Sequence, residues 1–315
     1  MMKVLVTGCA GFIGSNLTDH LLKHGYEVIG VDCFTDYYSN EIKKNNISSA
    51  LKNSHFTFIE KNILDMNSFP DVDIVFHQAA QAGVRSSWGS NFSIYSKINI
   101  EGTQRLLEWY KSSELKKFVF ASSSSVYGCV PLPMHEEMKL QPVSPYGVSK
   151  LAAEHLCYLY WKNYQLPTIS LRYFTVYGPR QRPDMGINKF FKSILSGEEI
   201  IIYGDGTQTR DYTFIDDIIQ ANLLSAMTEN NGMVFNIGGG NQIAVIELIK
   251  IIERITKRSA KMRFVPEQKG DVNNTLSDST KANRILGWNA KTDLKSGLQQ
   301  YFDWLSEIQL KAQGN

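Results

Sequence analysis

A phenol and an ammonium stand four residues apart in Ser144-Pro145-Tyr146-Gly147-Val148-Ser149-Lys150. Ser144 can cap a helix and Pro145 suits its first turn, so the segment reads as a helix start. On a helix, the spacing puts Tyr146 and Lys150 on one face. An ammonium beside a phenol favours the phenolate and lowers its pKa, which would make the pair a general base near neutral pH. Ser123 closes the run Phe118-Val119-Phe120-Ala121-Ser122-Ser123, at the end of a core strand. It can hydrogen-bond the same substrate oxygen and hold it for proton transfer. Alone, Tyr146 and Lys150 would read as an ordinary amphipathic surface pair. Their meaning depends on what precedes them.

What precedes them is a dinucleotide signature. Val4-Leu5-Val6 is an unbroken apolar run, as a fully buried parallel strand would be. Gly8, Gly11 and Gly14 follow, then a helical stretch from Ser15 to Lys23 with Leu17, Leu21 and Leu22 on one face. A second strand, Val28-Ile29-Gly30-Val31, ends on Asp32. The glycines allow a tight turn whose backbone N–H groups approach a pyrophosphate, and the helix N-terminus adds partial positive charge. Asp32 is placed to accept hydrogen bonds from the ribose hydroxyls. A carboxylate there would repel a 2′-phosphate, and Cys33 and Phe34 bring no arginine, so the cofactor reads as NAD. Oxidised nicotinamide near Tyr146 would lower its pKa further.

The elements that position these groups repeat as strand and helix. Phe56–Ile59 and Asp73–His77 read as the third and fourth strands, and Phe118–Ala121 as the fifth. Asn62-Ile63 follows the third and would edge the adenine. Ala79, Ala80 and Gln81 follow the fourth, where small side chains permit close backbone approach to a cofactor. Ser96–Tyr110 reads as a helix on which Asn99 is a polar residue that needs a partner. The lysines of the polar stretch 33–55 read as solvated. Five alternations argue an α/β protein with a doubly wound parallel sheet and an active site at the strands' C-terminal ends. After residue 176 the rhythm changes at Gly178-Pro179-Arg180-Gln181-Arg182-Pro183, and a smaller C-terminal α/β substrate domain is expected over 177–315, with a segment near 211–240 returning to the first domain.

The bulk numbers narrow the class. The 315 residues are 43% hydrophobic, enough for a substantial core. Lys and Arg number 33 against 31 Asp and Glu, so no nucleic-acid or membrane footprint stands out. No apolar run reaches the roughly 18 residues that span a bilayer. The first strand begins too early to leave room for a signal peptide, and Cys9, Cys33, Cys129 and Cys157 form no C-x-x-C pair. A reduced, cytoplasmic enzyme is the expectation. The six His show no metal-ligand spacing, and no metal is expected.

Four motifs carry a family resemblance. Thr7-Gly8-Cys9-Ala10-Gly11-Phe12-Ile13-Gly14, Ser122-Ser123-Ser124-Ser125-Val126-Tyr127-Gly128, Tyr146 with Lys150, and Arg172-Tyr173-Phe174-Thr175-Val176-Tyr177-Gly178-Pro179 resemble the extended short-chain dehydrogenase/reductases that act on nucleotide sugars. Arg210-Asp211-Tyr212-Thr213-Phe214 and Leu286-Gly287-Trp288 extend the resemblance over essentially the whole chain. It implies an NAD-binding Rossmann domain over 1–176, tightly bound NAD, a UDP-sugar in the cleft and a homodimer packed through helices near 96–110 and 147–163. It also brings Phe12, Ile13, Tyr173 and Val176 to the cofactor. Arg182 and Arg210 become candidates for the uridine diphosphate, and Asp271 for the uridine ribose. Arg85 would face the pyrophosphate or brace its own loop.

Within that family, three reactions begin by oxidising the sugar at C4. A 4,6-dehydratase carries Asp-Glu after the active-site Ser or Thr, and a UDP-glucuronate decarboxylase carries Glu at the second of those positions. Here they are Ser124 and Ser125, which leaves 4-epimerisation. The stretch Thr175 to Met185 and Gly83-Val84-Arg85-Ser86-Ser87-Trp88 look most like the UDP-glucuronate 4-epimerases. Ser124, Ser125 and Thr175 would offer hydroxyl donors to a C6 carboxylate. The alternative is a UDP-glucose or UDP-N-acetylglucosamine 4-epimerase. Many of these carry Asn at the position of Thr175, although the small Thr275 leaves room for a larger C2 substituent. Two departures stand out: Gln268 where related epimerases often have a phosphate-binding Arg, and Asn62 where many have Asp. A non-catalytic NAD-binding redox sensor would need no base, and the intact Ser123, Tyr146 and Lys150 oppose it.

Overall fold

The computed structural model describes residues 1–268 and 270–313. Its strands are β1 (Lys3–Thr7), β2 (Glu27–Asp32), β3 (Phe56–Glu60), β4 (Ile74–His77), β5 (Lys117–Ser123), β6 (Thr168–Tyr173), β7 (Thr175–Tyr177), β8 (Glu199–Tyr203), β9 (Thr209–Phe214), β10 (Met233–Ile237), β11 (Gln242–Ala244) and β12 (Lys261–Val265). The helices are α1 (Phe12–Lys23), α2 (Asn40–Ile47), α3 (Phe92–Tyr95), α4 (Gly102–Tyr110), α5 (Pro145–Tyr164), α6 (Gly186–Ser196), α7 (Ile215–Met227), α8 (Val245–Thr256), α9 (Thr280–Leu286) and α10 (Leu294–Gln313).

Seven strands form the main sheet, in the order β10-β6-β5-β4-β1-β2-β3, and all neighbours are parallel. Successive side chains on a strand face opposite sides, so a strand buried on both faces must be apolar throughout. Accordingly Val4 and Val6 join a core with Leu17 and Leu21 of α1 and Ile218 and Ile219 of α7. Leu5 points the other way, among Leu106 and Leu107 of α4 and Ala153 and Cys157 of α5. The five strands read from sequence are the first five of this sheet. The sixth and seventh, β6 and β10, complete it, and β10 comes from the 211–240 segment expected to return. The α7 helix before it packs on β5 and β6.

Two smaller sheets lie beyond the main one: β11-β9-β7 and β12-β8. Trp288, almost fully buried, fastens the C-terminal region by donating its indole N–H to the Asp217 carbonyl at 2.8 Å. The helix expected over 96–110 is present, but Ser96–Glu101 is a wider π-helical turn ahead of α4. No helix among the described residues is long and apolar enough to cross a membrane.

Candidate active site

Two adjoining cavities open where the main sheet's C-terminal strand ends meet the smaller sheets. The first is lined by Gly8, Gly11, Phe12, Ile13, Gly14, Asp32, Asn62, Ile63, Ala79, Ala80, Gln81, Tyr146, Lys150 and Tyr173. The turn after β1 is built for close approach. A Cβ on Gly14 would lie 2.0 Å from the Gly8 carbonyl oxygen, so only glycine lets α1 begin against the turn. Asp32 is fixed by two backbone donors, Ala10 N to Oδ2 and Phe34 N to Oδ1, each at 3.0 Å. The cradle, the helix N-terminus and the fixed carboxylate suit the pyrophosphate and ribose of NAD. Asn62 accepts a hydrogen bond from Leu64 N through Oδ1 at 3.0 Å. That bond orients the side chain, and its amide group, unlike a carboxylate, can also donate.

Tyr146 stands at the N-terminal end of α5. Ser144 caps the helix as expected, its Oγ accepting from Gly147 N at 3.1 Å. Gly147 allows the helix to start against the serine turn, because a Cβ there would lie 2.5 Å from the Ser125 carbonyl oxygen. The electrostatics differ from the sequence expectation. Burial pushes the Tyr146 phenol up, and its hydrogen bond with Ser123 and the Arg182 charge pull it back. Lys150 is not among the groups that lower it. The Lys150 ammonium instead donates to the Ala121 carbonyl at 2.8 Å, and burial lowers its pKa to about 7. That ammonium is engaged with the end of β5 rather than with the phenol. The cation that favours the phenolate here is Arg182.

The second cavity holds Arg85, Thr175, Arg182, Arg210 and Asp271, together with Tyr37, Asp184 and Gln268. Arg182 and Tyr37 line both cavities. Arg182 forms a two-pronged pair with Asp184 at 2.9 and 3.0 Å, and Asp184 also accepts from the Tyr37 hydroxyl at 3.2 Å. Arg85 and Asp271, expected to face different parts of a nucleotide, are paired with each other at 2.6 and 3.1 Å, and Arg85 stacks over the Tyr203 ring. Arg210 donates to the carbonyls of Thr209 and Asn273, and desolvation lowers its pKa. Among the described residues it has no carboxylate in ion-pair contact.

Some expected residues lie elsewhere. Asn99 is fully buried and its amide is spent on the backbone of Gln81 and on Ser149, so it braces the loop under the cofactor cavity rather than entering it. Val176 packs in the core, its carbonyl taken by Gln181. Ser123 ends β5 with its hydroxyl accepting from Ser125 N at 3.1 Å, Ser124 and Ser125 sit partly exposed on the turn after it, and none of the three lines either cavity. Thr275 is tied to Asp211 N and is not at the sugar end. Lys43, expected to be solvated, is buried, donates to the Thr35 carbonyl and lines the first cavity. Sequence places the 33–55 loop over the adenosine side, and Tyr37, Tyr38 and Lys43 line the first cavity from it, but it does not single out these three as site residues. Its paired tyrosines were the one available signal. No cluster of three or more His, Cys, Asp or Glu among the described residues is arranged to hold a metal ion.

A parallel sheet with a glycine turn at its crevice, and Ser123, Tyr146 and Lys150 beside it, define the short-chain dehydrogenase/reductase class. Residues 5–301 match the family described as GDP-mannose 4,6 dehydratase, and the chain belongs to that family of extended short-chain dehydrogenases/reductases. It is 40% identical to a UDP-glucuronate 4-epimerase of Thermodesulfobacterium geofontis, over 96% of each chain. It is 42% identical to an uncharacterised UDP-glucose epimerase of Bacillus subtilis, over 98% of this chain and 99% of that one. It superposes with a TM-score of 0.95 and 43% identity on UDP-glucuronic acid 4-epimerase from Bacillus cereus in complex with UDP-glucuronic acid and NAD, over 98% of this chain and 100% of the other.

Proposed function

We propose that this enzyme is an NAD-dependent 4-epimerase that interconverts UDP-glucuronate and UDP-galacturonate. The observation that carries the reading is the position of Tyr146, which lines the cofactor cavity with Lys150 and with Arg182, a residue shared with the second cavity. The Bacillus cereus and Thermodesulfobacterium relatives support the sugar. Bound NAD would supply a hydride acceptor for the hydrogen on sugar C4 and return it. Gly8, Gly11, Gly14, Asp32, Asn62 and the backbone of Ala79–Gln81 would hold the cofactor. Residues 1–176 and the returning segment would form the cofactor half, and the remainder of 177–315 the nucleotide-sugar half.

Tyr146 acts as the base on the 4-hydroxyl, while Ser123 holds that oxygen in line. The ketone then presents its other face, and Tyr146 gives the proton back. Arg210, desolvated and with no carboxylate in ion-pair contact among the described residues, suits the diphosphate, and Arg85 and Asp271 serve the uridine end. Thr175, which lines the second cavity, donates to the C6 carboxylate. The 4-keto uronate is a β-keto acid. Losing CO₂ would break C5–C6, leave the electron pair in a C4–C5 enolate and take up a proton at C5. Donors that hold the carboxylate near the plane of the ketone, without protonating it, disfavour that loss. Thr175→Ala should therefore release more UDP-pentose. An unchanged product mixture with unchanged turnover would remove the cradle.

Helices α3 and α5 expose Phe92, Ile94, Val148 and Leu159, an apolar face suited to a second copy of the chain. We assign a homodimer to it, to be checked by light scattering. The decisive experiment is product analysis with UDP-glucuronate, UDP-glucose and UDP-N-acetylglucosamine in parallel, following absorbance of reduced nicotinamide. Epimerised uronate is the expected product. Turnover of the neutral sugars alone overturns the substrate, and no reduction with any sugar overturns the reaction.

A further inference from the structure

Beneath α5 a buried ion pair spans the elements that carry the reacting groups. Arg172 of β6 and Glu154 of α5 are only 3% and 4% exposed, and two guanidinium nitrogens meet the two carboxylate oxygens. Arg172 pairs in register with Ser122 of β5 on one side and Asn236 of β10 on the other, so the three form one row across the sheet. Glu154 lies one helical turn beyond Lys150 on the same helix. Its Oε2 accepts from the Ser122 hydroxyl at 2.7 Å, directly before Ser123. On the far side of the serine turn, the Tyr127 hydroxyl accepts from Arg172 at 2.8 Å and donates to Asn236 Oδ1 at 2.7 Å.

We infer that the Glu154–Arg172 pair is a positioning clamp, which grips the Ser123–Ser125 turn from both ends and sets the Ser123 hydroxyl beside Tyr146. This rests on the proposed reaction for its substrate. A buried ion pair rarely adds net stability, since desolvating both charges costs about what their attraction returns. Its placement therefore needs another reason, and the geometry supplies one. The residue before the turn bonds to the carboxylate, and the residue two after it bonds to the guanidinium. The same pair joins α5 to the strands, so the base and the hydroxyls share one anchor. Neither Glu154 nor Arg172 touches either cavity.

The test separates folding from positioning. In the double variant Glu154→Leu with Arg172→Met, apolar packing replaces the pair. It should melt at or above the wild-type temperature and bind NAD and UDP unchanged, while kcat on UDP-glucuronate falls about ten- to a hundredfold. Wild-type kcat in a folded double variant overturns the clamp. If the double variant does not fold, Ser122→Ala and Tyr127→Phe each remove one flank by a single hydroxyl. They should lower kcat with KM within about twofold, and wild-type kcat in both overturns the clamp. If the wild type turns over only UDP-glucose, the substrate proposal has failed. The variants are then compared by kcat on that sugar, so the two failures remain distinct.

Discussion

In the proposed reaction, the charge balance around one phenol would set the pH at which the enzyme works. Tyr146 is raised by burial and lowered by Ser123 and by the cation of Arg182. Arg182 is itself held by Asp184, so its guanidinium is fixed rather than free to wander. The phenolate is the reactive form, and removing a cation that favours it raises the pKa further. Arg182→Met should therefore move the acid limb of kcat/KM to higher pH and slow the reaction at pH 7 more than at pH 9. A pH–rate profile reads this directly, and an unmoved limb would mean that Arg182 acts only in binding. Lys150 belongs to the same balance but sits differently from its sequence expectation. Its ammonium is committed to the Ala121 carbonyl, so it ties α5 to the end of β5.

At the level of the element, α5 is positioned by contacts that allow it little freedom. Its N-terminal turn meets the serine turn at Gly147, its face packs on β5 and β6, and Glu154 anchors it from beneath. Gly147→Ala would put a methyl group 2.5 Å from the Ser125 carbonyl and 2.9 Å from Pro142 Cβ. The neighbouring backbone cannot yield locally, so the helix start must shift and carry Tyr146 with it. A displacement of that order costs about a hundredfold in rate when the bond-forming geometry is tight. The expected result is a folded variant that still binds NAD but scarcely reduces it when UDP-glucuronate is added. Full reduction would show that the helix start has slack. Helix and motif here were both legible in sequence, because Ser144, Pro145, Tyr146 and Lys150 interact within one or two turns. The contact that gives Gly147 its importance spans some twenty residues and left no local pattern.

Across the molecule the same division holds. The first five strands announce themselves as apolar runs, each followed by chemistry-bearing residues. The β10 strand completes the sheet from the far side of a long excursion, and the Arg85–Asp271 pair joins loops far apart in sequence. Residue identity alone could suggest that each of them binds a nucleotide, but not that they bind each other. Nor did sequence mark His77, which is fully enclosed between β1 and the helix of Thr103. Thr103 donates to the Asn99 carbonyl, so its oxygen accepts from His77 Nε2 at 2.9 Å. Thr7 accepts from Ala79 N and donates to His77 Nδ1 at 2.7 Å. This seating suits the neutral ring, and burial together with the Lys150 charge lowers its pKa to about 3. The unfolded chain would take up that proton near pH 6.5, so between there and about pH 3 it binds more protons than the folded one. Stability conferred by the neutral ring is thus complete above pH 6.5 and lost as the pH falls, by about 1.4 kcal/mol per unit. His77→Gln should be less stable than wild type at pH 7, yet lose stability more slowly between pH 6.5 and 5. Urea unfolding across that range measures both slopes, and equal slopes would place the acid-sensitive group elsewhere.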